Sequence, residues 1–265
     1  MSGRARGKSA LKSVMSRYYE YFLLPVGIAG FLYLWQYLSG FYDPFILPSP
    51  RLVWERSLEF FNQPQLFFMH FLTTLGEAGG GFCLGALSAL PVSYFLAKKP
   101  VLERLLTPYF VGIQAVPIVA LAPLLVIWFG FGIVSKVLVA ALITFFSVLT
   151  TGIAGLRSTD PRLRELLAIM GATKWQIFFK LEFPSALPYI FSGLRLGGAL
   201  AVIGAVSGEF AGAGKGLGYI VNFARGSFDT PLLFAAIIAL AVLGIGFYLL
   251  FFIAEYLAIP WKRKR

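Results

Sequence analysis

Few residues in this 265-residue chain carry chemistry, and they are scattered. Cys83 is the single cysteine, which excludes an intramolecular disulfide and any Cys-based metal site. It lies within an apolar run and reads as a small buried hydrophobe. His70 is the single histidine and gives no ligand set. The acidic residues stand singly, without the paired aspartates of prenyl chemistry or a Ser/His set for intramembrane proteolysis. A phosphate cradle is also missing from the glycine-rich stretch 212–218. Gly214-Lys215 is followed by Gly216 instead of Ser or Thr, and Glu209 stands where the first glycine would be needed. What remains are polar groups set inside long apolar runs: Glu77, Gln114, Thr144, Ser147, Thr150, Thr151, Ser207 and Glu209. Such groups are costly against lipid, so they either line a polar pathway or bond to their own helix.

The runs that hold them define the class. Hydrophobic residues make up 58% of the chain and charged residues 13%, about half the share of an ordinary soluble domain. Mean hydropathy is +0.78. Six stretches approach the ~20 apolar residues that cross a bilayer, at roughly 21–40, 78–97, 108–131, 134–156, 187–210 and 232–258. The first is long and lacks a small-residue cleavage site, so it reads as a retained anchor. The net charge of +11 does not mark a nucleic-acid partner, because the positives sit at both termini and in the gaps between apolar runs. Arg4, Arg6, Lys8, Lys12 and Arg17 precede the first run and Lys262–Arg265 follow the last. Lys98, Lys99, Arg104, Arg157, Arg162, Arg164, Lys174 and Lys180 occupy the second and fourth connectors. Both termini and both connectors are therefore expected on the cytoplasmic face, which requires an even number of crossings.

The expected organisation is all-α and integral to the membrane, with six transmembrane helices, N-in and C-in. A basic cytoplasmic segment covers 1–20, a six-helix transmembrane domain covers 21–258, and a basic tail covers 259–265. Outside the spans, residues 46–61 read as holding a short amphipathic helix at the outer interface, and 212–218 as a flexible outer turn. The pairs Gly81/Gly85, Gly193/Gly197 and Gly204/Gly208 have the spacing that lets helices approach closely.

The connector 157–186 is unlike the others. Asp160-Pro161 supplies an N-cap acceptor and a first-turn proline. Leu163, Leu166, Leu167 and Met170 then recur at helical spacing. Gly171 is suited to end that helix and Thr173 to cap a second, with Pro184 expected to interrupt the chain before the fifth run. Two short helices about a glycine turn, apolar on one side and bearing Arg162, Arg164, Glu165 and Lys174 on the other, suit docking on a soluble partner.

The spacing Glu165, five residues, Gly171, nine residues, Leu181, one residue, Phe183-Pro184 resembles the EAA loop of binding-protein-dependent ABC importer permeases. Here Leu166 and Leu167 replace the two alanines. Leu47-Pro-Ser-Pro50, Val116-Pro117, Leu121-Ala-Pro123, Ile127-Trp-Phe-Gly130, Gly193-Leu-Arg195 and Gly216-Leu-Gly-Tyr219 extend the likeness toward the branch that handles nitrate, taurine and alkylsulfonates. That branch also includes importers of riboflavin and of hydroxypyrimidine thiamine precursors. The resemblance implies a type I importer permease fold in the bacterial inner membrane. It implies a non-catalytic subunit that works as a homodimer with two copies of a separate ATPase and an extracytoplasmic binding protein. ATP and magnesium would sit on the ATPase. Its docking residues would be Arg162, Arg164, Glu165, Leu166, Leu167, Gly171, Leu181, Phe183 and Pro184. The pathway would draw on Glu77, Gln114, Thr144, Ser147, Thr151, Ser207 and Glu209. Sulfonate-type relatives commonly carry arginine where this chain has Glu77, so the expected cargo is a small heterocycle such as riboflavin or a thiamine precursor. An organosulfonate or nitrate is the second expectation, and a standalone carrier or channel the third. Arg195 is expected near the inner interface, pairing with Glu182.

Overall fold

The computed structural model describes residue 23 and residues 25–261. The basic segment 1–20 and Lys262–Arg265, on which the expected orientation rests, lie outside the described residues, as do residues 21, 22 and 24 of the first expected span. Helix α1 (25–39) continues that span. It is followed by α2 (Pro50–Phe61), α3 (Pro64–Lys98), α4 (Pro100–Ala115), α5 (Ile118–Phe129) and α6 (Ile133–Arg157). Next come α7 (Pro161–Ile169), α8 (Lys174–Ile177), a π-helical turn (Phe178–Glu182), α9 (Phe183–Phe210), α10 (Leu217–Gly226) and α11 (Thr230–Ala258). Among the described residues, four helical stretches are long and apolar enough to cross a membrane, and α4 with α5 makes a fifth if counted as one bent span.

The core is built on close approach. Ala78, Gly81, Gly85 and Ala89 of α3 and Gly193, Gly197, Ala201, Gly204 and Gly208 of α9 let both helices close on α6 from adjacent sides: Gly81 and Gly204 both meet Ala140, and Gly85 and Gly197 both meet Thr144. A Cβ on Gly208 would stand 2.9 Å from the Cα of Lys136, and one on Gly81 2.8 Å from the carbonyl oxygen of Val137. All three glycine pairs noted in the sequence therefore act in packing within the chain. Trp35 ties α1 to the bundle, donating its indole N–H to the Pro48 carbonyl at 3.0 Å and stacking near Phe234 of α11. Cys83 departs from expectation: it is exposed on the outer surface of α3.

Two prolines act differently from expectation. The run 108–131 is not one helix. Pro117 has no N–H to donate, and its ring disfavours helical geometry at Val116, which is extended (φ −75°, ψ 124°). The chain turns by 91° there, separating α4 from α5. Pro184, expected to interrupt the chain, does not. Lys174–Phe210 forms one continuous helical stretch, because the π turn lets the Phe183 N–H reach back five residues to the Phe178 carbonyl. Pro184 then occupies the first turn of α9, where no N–H is needed.

Candidate functional site

Three places on this scaffold gather polar groups. At one end of α9, the first N–H groups of α10 have no intrahelical partner, and side chains from other helices supply the caps. Gly216 donates to Nδ1 of His70 at 3.0 Å, and Leu217 to the Thr74 hydroxyl at 2.8 Å. Gly218 donates to the Glu209 carboxylate. Thr74 in turn donates to Oε1 of Glu209 at 2.6 Å. The turn 212–218 is thus held, not free, and Glu209 is buried in its cap. Glycine is required at 216, where φ is +114° and any Cβ would run into the Glu209 carboxylate. Beside this cap, Nζ of Lys136 donates to Oε1 of Glu77 at 2.7 Å, with both side chains sealed from solvent.

The second place is a cavity of about 450 Å³ under the α4–α5 elbow. Its walls are Gln114, Val116, Pro117 and Leu121 at the elbow, Ser147, Thr150 and Thr151 on one face of α6, and Leu196, Leu200 and Ile203 on α9. None of its lining residues is charged. Thr150 and Thr151 donate to carbonyls of their own helix, at 2.9 Å to Phe146 and 2.9 Å to Ser147. Ser147 reaches across to Gly193 at 3.4 Å. Irregular backbone at membrane depth is tolerated where it lines a cavity, which is what the Val116-Pro117 break does. The volume falls in the range of small-molecule sites, about 300–1,000 Å³.

At the opposite end of α9 lies the α7–α8 pair. Asp160 caps α7 by accepting from the Arg162 N–H at 2.9 Å. Gly171, at φ +81°, closes a Schellman turn: Ala172 donates to the Leu167 carbonyl and Gly171 to that of Ala168, both at 3.0 Å. Thr173 and Gln176 form a capping box on α8. The pair buries little: Ile169 is 84% and Met170 73% exposed, and Leu163, Leu166 and Trp175 are exposed with them. Arg162 and Glu165 also face solvent. Arg164 turns inward to Glu182, at 2.6 Å.

The sequence pattern of a family described as binding-protein-dependent transport system inner membrane component matches residues 81–264. This chain belongs to that family. A riboflavin transport system permease of Chloroflexus aurantiacus is 46% identical over 242 residues, 90% of each chain. A formylaminopyrimidine transport permease of Halalkalibacterium halodurans is 39% identical over 223 residues, 84% of this chain and 88% of its own. The taurine transport system permease of Escherichia coli K12 is 30% identical over 206 residues, 76% of this chain and 74% of its own. The chain is a multi-pass inner-membrane permease, and its relatives are transport subunits.

Of the residues singled out for the permease pathway, only Gln114, Ser147 and Thr151 meet at the cavity. Thr144 is buried against α9, donating to the Gly197 carbonyl at 3.2 Å. Ser207 borders a separate recess between α9 and α11. Glu77 and Glu209 belong to the buried cluster at the α10 end. Arg195 pairs with Glu255 at 3.1 Å instead of Glu182, because both expected partners lie on the one helical stretch Lys174–Phe210, about 19 Å apart along its axis. Sequence reasoning gave Lys136 and Thr74 no role. A lone lysine three residues into an apolar run needs a buried partner, which was the available signal, though it names no particular acid.

Proposed function

We propose that this permease is half of a homodimeric, ATP-driven importer for a small neutral heterocycle, a vitamin or pyrimidine precursor. Six spans place both termini in the cytoplasm, with lipid around the bundle. Arg162, Glu165, Leu166 and Leu167 present the docking surface to a separate ATPase, which holds ATP and magnesium, and Gly171 makes the turn. Leu181, Phe183 and Pro184 form the foot of α9, tied to the docking helix by Arg164. The uncovered apolar face of α7 supports this, since an apolar cytoplasmic surface of that kind suits a groove on a partner. ATP draws the two ATPase subunits together, the docked helices shift the spans, and a binding protein delivers its cargo to the cavity.

The observation that carries the cargo class is the charge-free wall of the cavity. An amide and three hydroxyls among aliphatic side chains can read the donor–acceptor edge of a flat heterocycle. They offer no cation to a sulfonate. The names of the riboflavin and formylaminopyrimidine relatives point the same way. The taurine relative keeps an organosulfonate or nitrate as the second reading.

The test is reconstitution in proteoliposomes with the ATPase and binding protein encoded beside the gene. ATP-dependent uptake of labelled riboflavin or an aminopyrimidine, with taurine left outside, is expected. Uptake of taurine alone would move the second reading to first place. A chain that retains no ATPase would remove the importer role and favour a standalone carrier.

A further inference from the structure

Glu182 is a buried carboxylate that two cations engage, and nothing in the pathway or docking surface accounts for it. Its side chain is 2% exposed at the end of the π turn. Both of its oxygens lie 2.6 Å from Nζ of Lys98, the last residue of α3. Oε1 also lies 2.6 Å from a guanidinium nitrogen of Arg164, on α7. One buried anion therefore joins three elements: the docking helix α7, the end of α3 and the foot of α9.

The two cations are not equivalent. Lys98 meets both carboxylate oxygens and Arg164 only one; their side chains are 38% and 46% exposed, so solvent screens both pairings and the single Arg164 contact is the one that parts at lower cost. Lys98 would still neutralise the carboxylate, so no bare buried charge results. The Arg164 contact can thus exist in two states, made and broken, while the Lys98 contact stays. Directly above it, the π turn is a local widening of the helical ladder, a place where a helix bends readily. Beyond the turn α9 runs without interruption to Glu209, presenting Leu196, Leu200 and Ile203 to the cavity on the way.

We infer that Glu182 is the positioning residue through which movement of α7 reaches the cavity wall, with Arg164 as its breakable link and Lys98 as its fixed one. This rests on the reading of α7–α8 as the ATPase docking pair. A load on α7 that makes or breaks the Arg164 contact would pivot α9 about the π turn.

The test uses the full permease–ATPase complex in nanodiscs, spin-labelled at Leu196→Cys in a Cys83→Ala background. The distance between the two copies is measured with and without ATP. The wild-type background should shift its distance distribution with ATP. Arg164→Gln should keep the ATPase bound and the thermal midpoint unchanged yet lose the shift; Glu182→Gln, which leaves Lys98 without its buried partner, should lose the shift at a lowered midpoint, and Glu182→Asp should restore both. A wild-type shift in Arg164→Gln, or loss of ATPase binding in that variant, would overturn the inference. A wild-type complex that fails to bind ATPase or to respond to ATP would instead overturn the docking reading beneath it.

Discussion

Lys136 and Glu77 face each other at 2.7 Å across the α3–α6 interface, with side-chain exposures of 8% and 2%. The pair closes the bundle beside the α10 cap and lines no part of the cavity. Removing one partner leaves a buried charge uncompensated, which costs about 3–5 kcal/mol. Lys136→Met is therefore expected to lower the thermal midpoint sharply in detergent, read by fluorescence-detected size exclusion. The double variant Lys136→Met/Glu77→Leu should recover most of the loss. A single variant as stable as the wild type would show that Glu77 has another partner.

Thr74 both donates to Glu209 and accepts from the Leu217 N–H. Thr74→Val keeps the shape and removes both bonds, leaving two buried groups unsatisfied at about 1–3 kcal/mol each. Amide hydrogen exchange at Gly216, Leu217 and Gly218 should speed up in that variant and return toward normal in Thr74→Ser. Unchanged protection in Thr74→Val would mean that His70 and Glu209 suffice to hold the turn.

Much of this was legible from residue spacing. The α7–Gly171–α8 turn follows from local rules: Asp160 and Thr173 are caps, and Gly171 takes the left-handed conformation that a Schellman turn needs. The glycine pairs of α3 and α9 were equally readable, since close approach is what that spacing permits. Other features were not local. The Val116-Pro117 break was present in the letters, but two apolar runs that meet end to end look like one long run. The continuity of α9 through Pro184 depends on a π turn, which no composition signal marks. Two of the three caps of α10, His70 and Thr74, come from residues more than 140 positions away, so the sequence could assign Glu209 to a pathway but could not show that it belongs to a cap. Arg195 was matched to the wrong acid because Pro184 was read as a break, whereas one continuous helix holds Glu182 and Arg195 about 19 Å apart.

Gly171 sits at φ +81°, in the left-handed region. A side chain there costs about 1–2 kcal/mol, more when it is β-branched. No neighbouring atom would touch a Cβ at this position, so the penalty is one of backbone conformation and not of packing. Gly171→Val should therefore insert and fold normally but rearrange the α7–α8 pair. ATP-dependent uptake should fall at least as far as ATPase binding does. Gly171→Asn, which tolerates the left-handed region, should retain much of both. Full uptake by the valine variant would count heavily against α7–α8 as the docking pair.

Gln114 is the cavity residue best able to discriminate, because its amide offers both donors and an acceptor while Thr150 and Thr151 already donate to their own helix. Gln114→Leu keeps the volume and removes the polar edge. A lost neutral hydrogen bond is worth about 0.5–1.5 kcal/mol, so uptake should weaken up to about tenfold at low substrate. Stability should hardly change, since α4 buries none of its residues. Leu200→Trp, which fills the same cavity from α9, should block uptake while leaving the ATPase bound. Gln114→Arg supplies the cation that the wall lacks, and it should lower riboflavin uptake further while admitting taurine when the matching binding protein is provided. Competition between the two labelled substrates reads this directly. Identical selectivity in all three variants would place discrimination entirely in the binding protein and leave the cavity as an unselective passage.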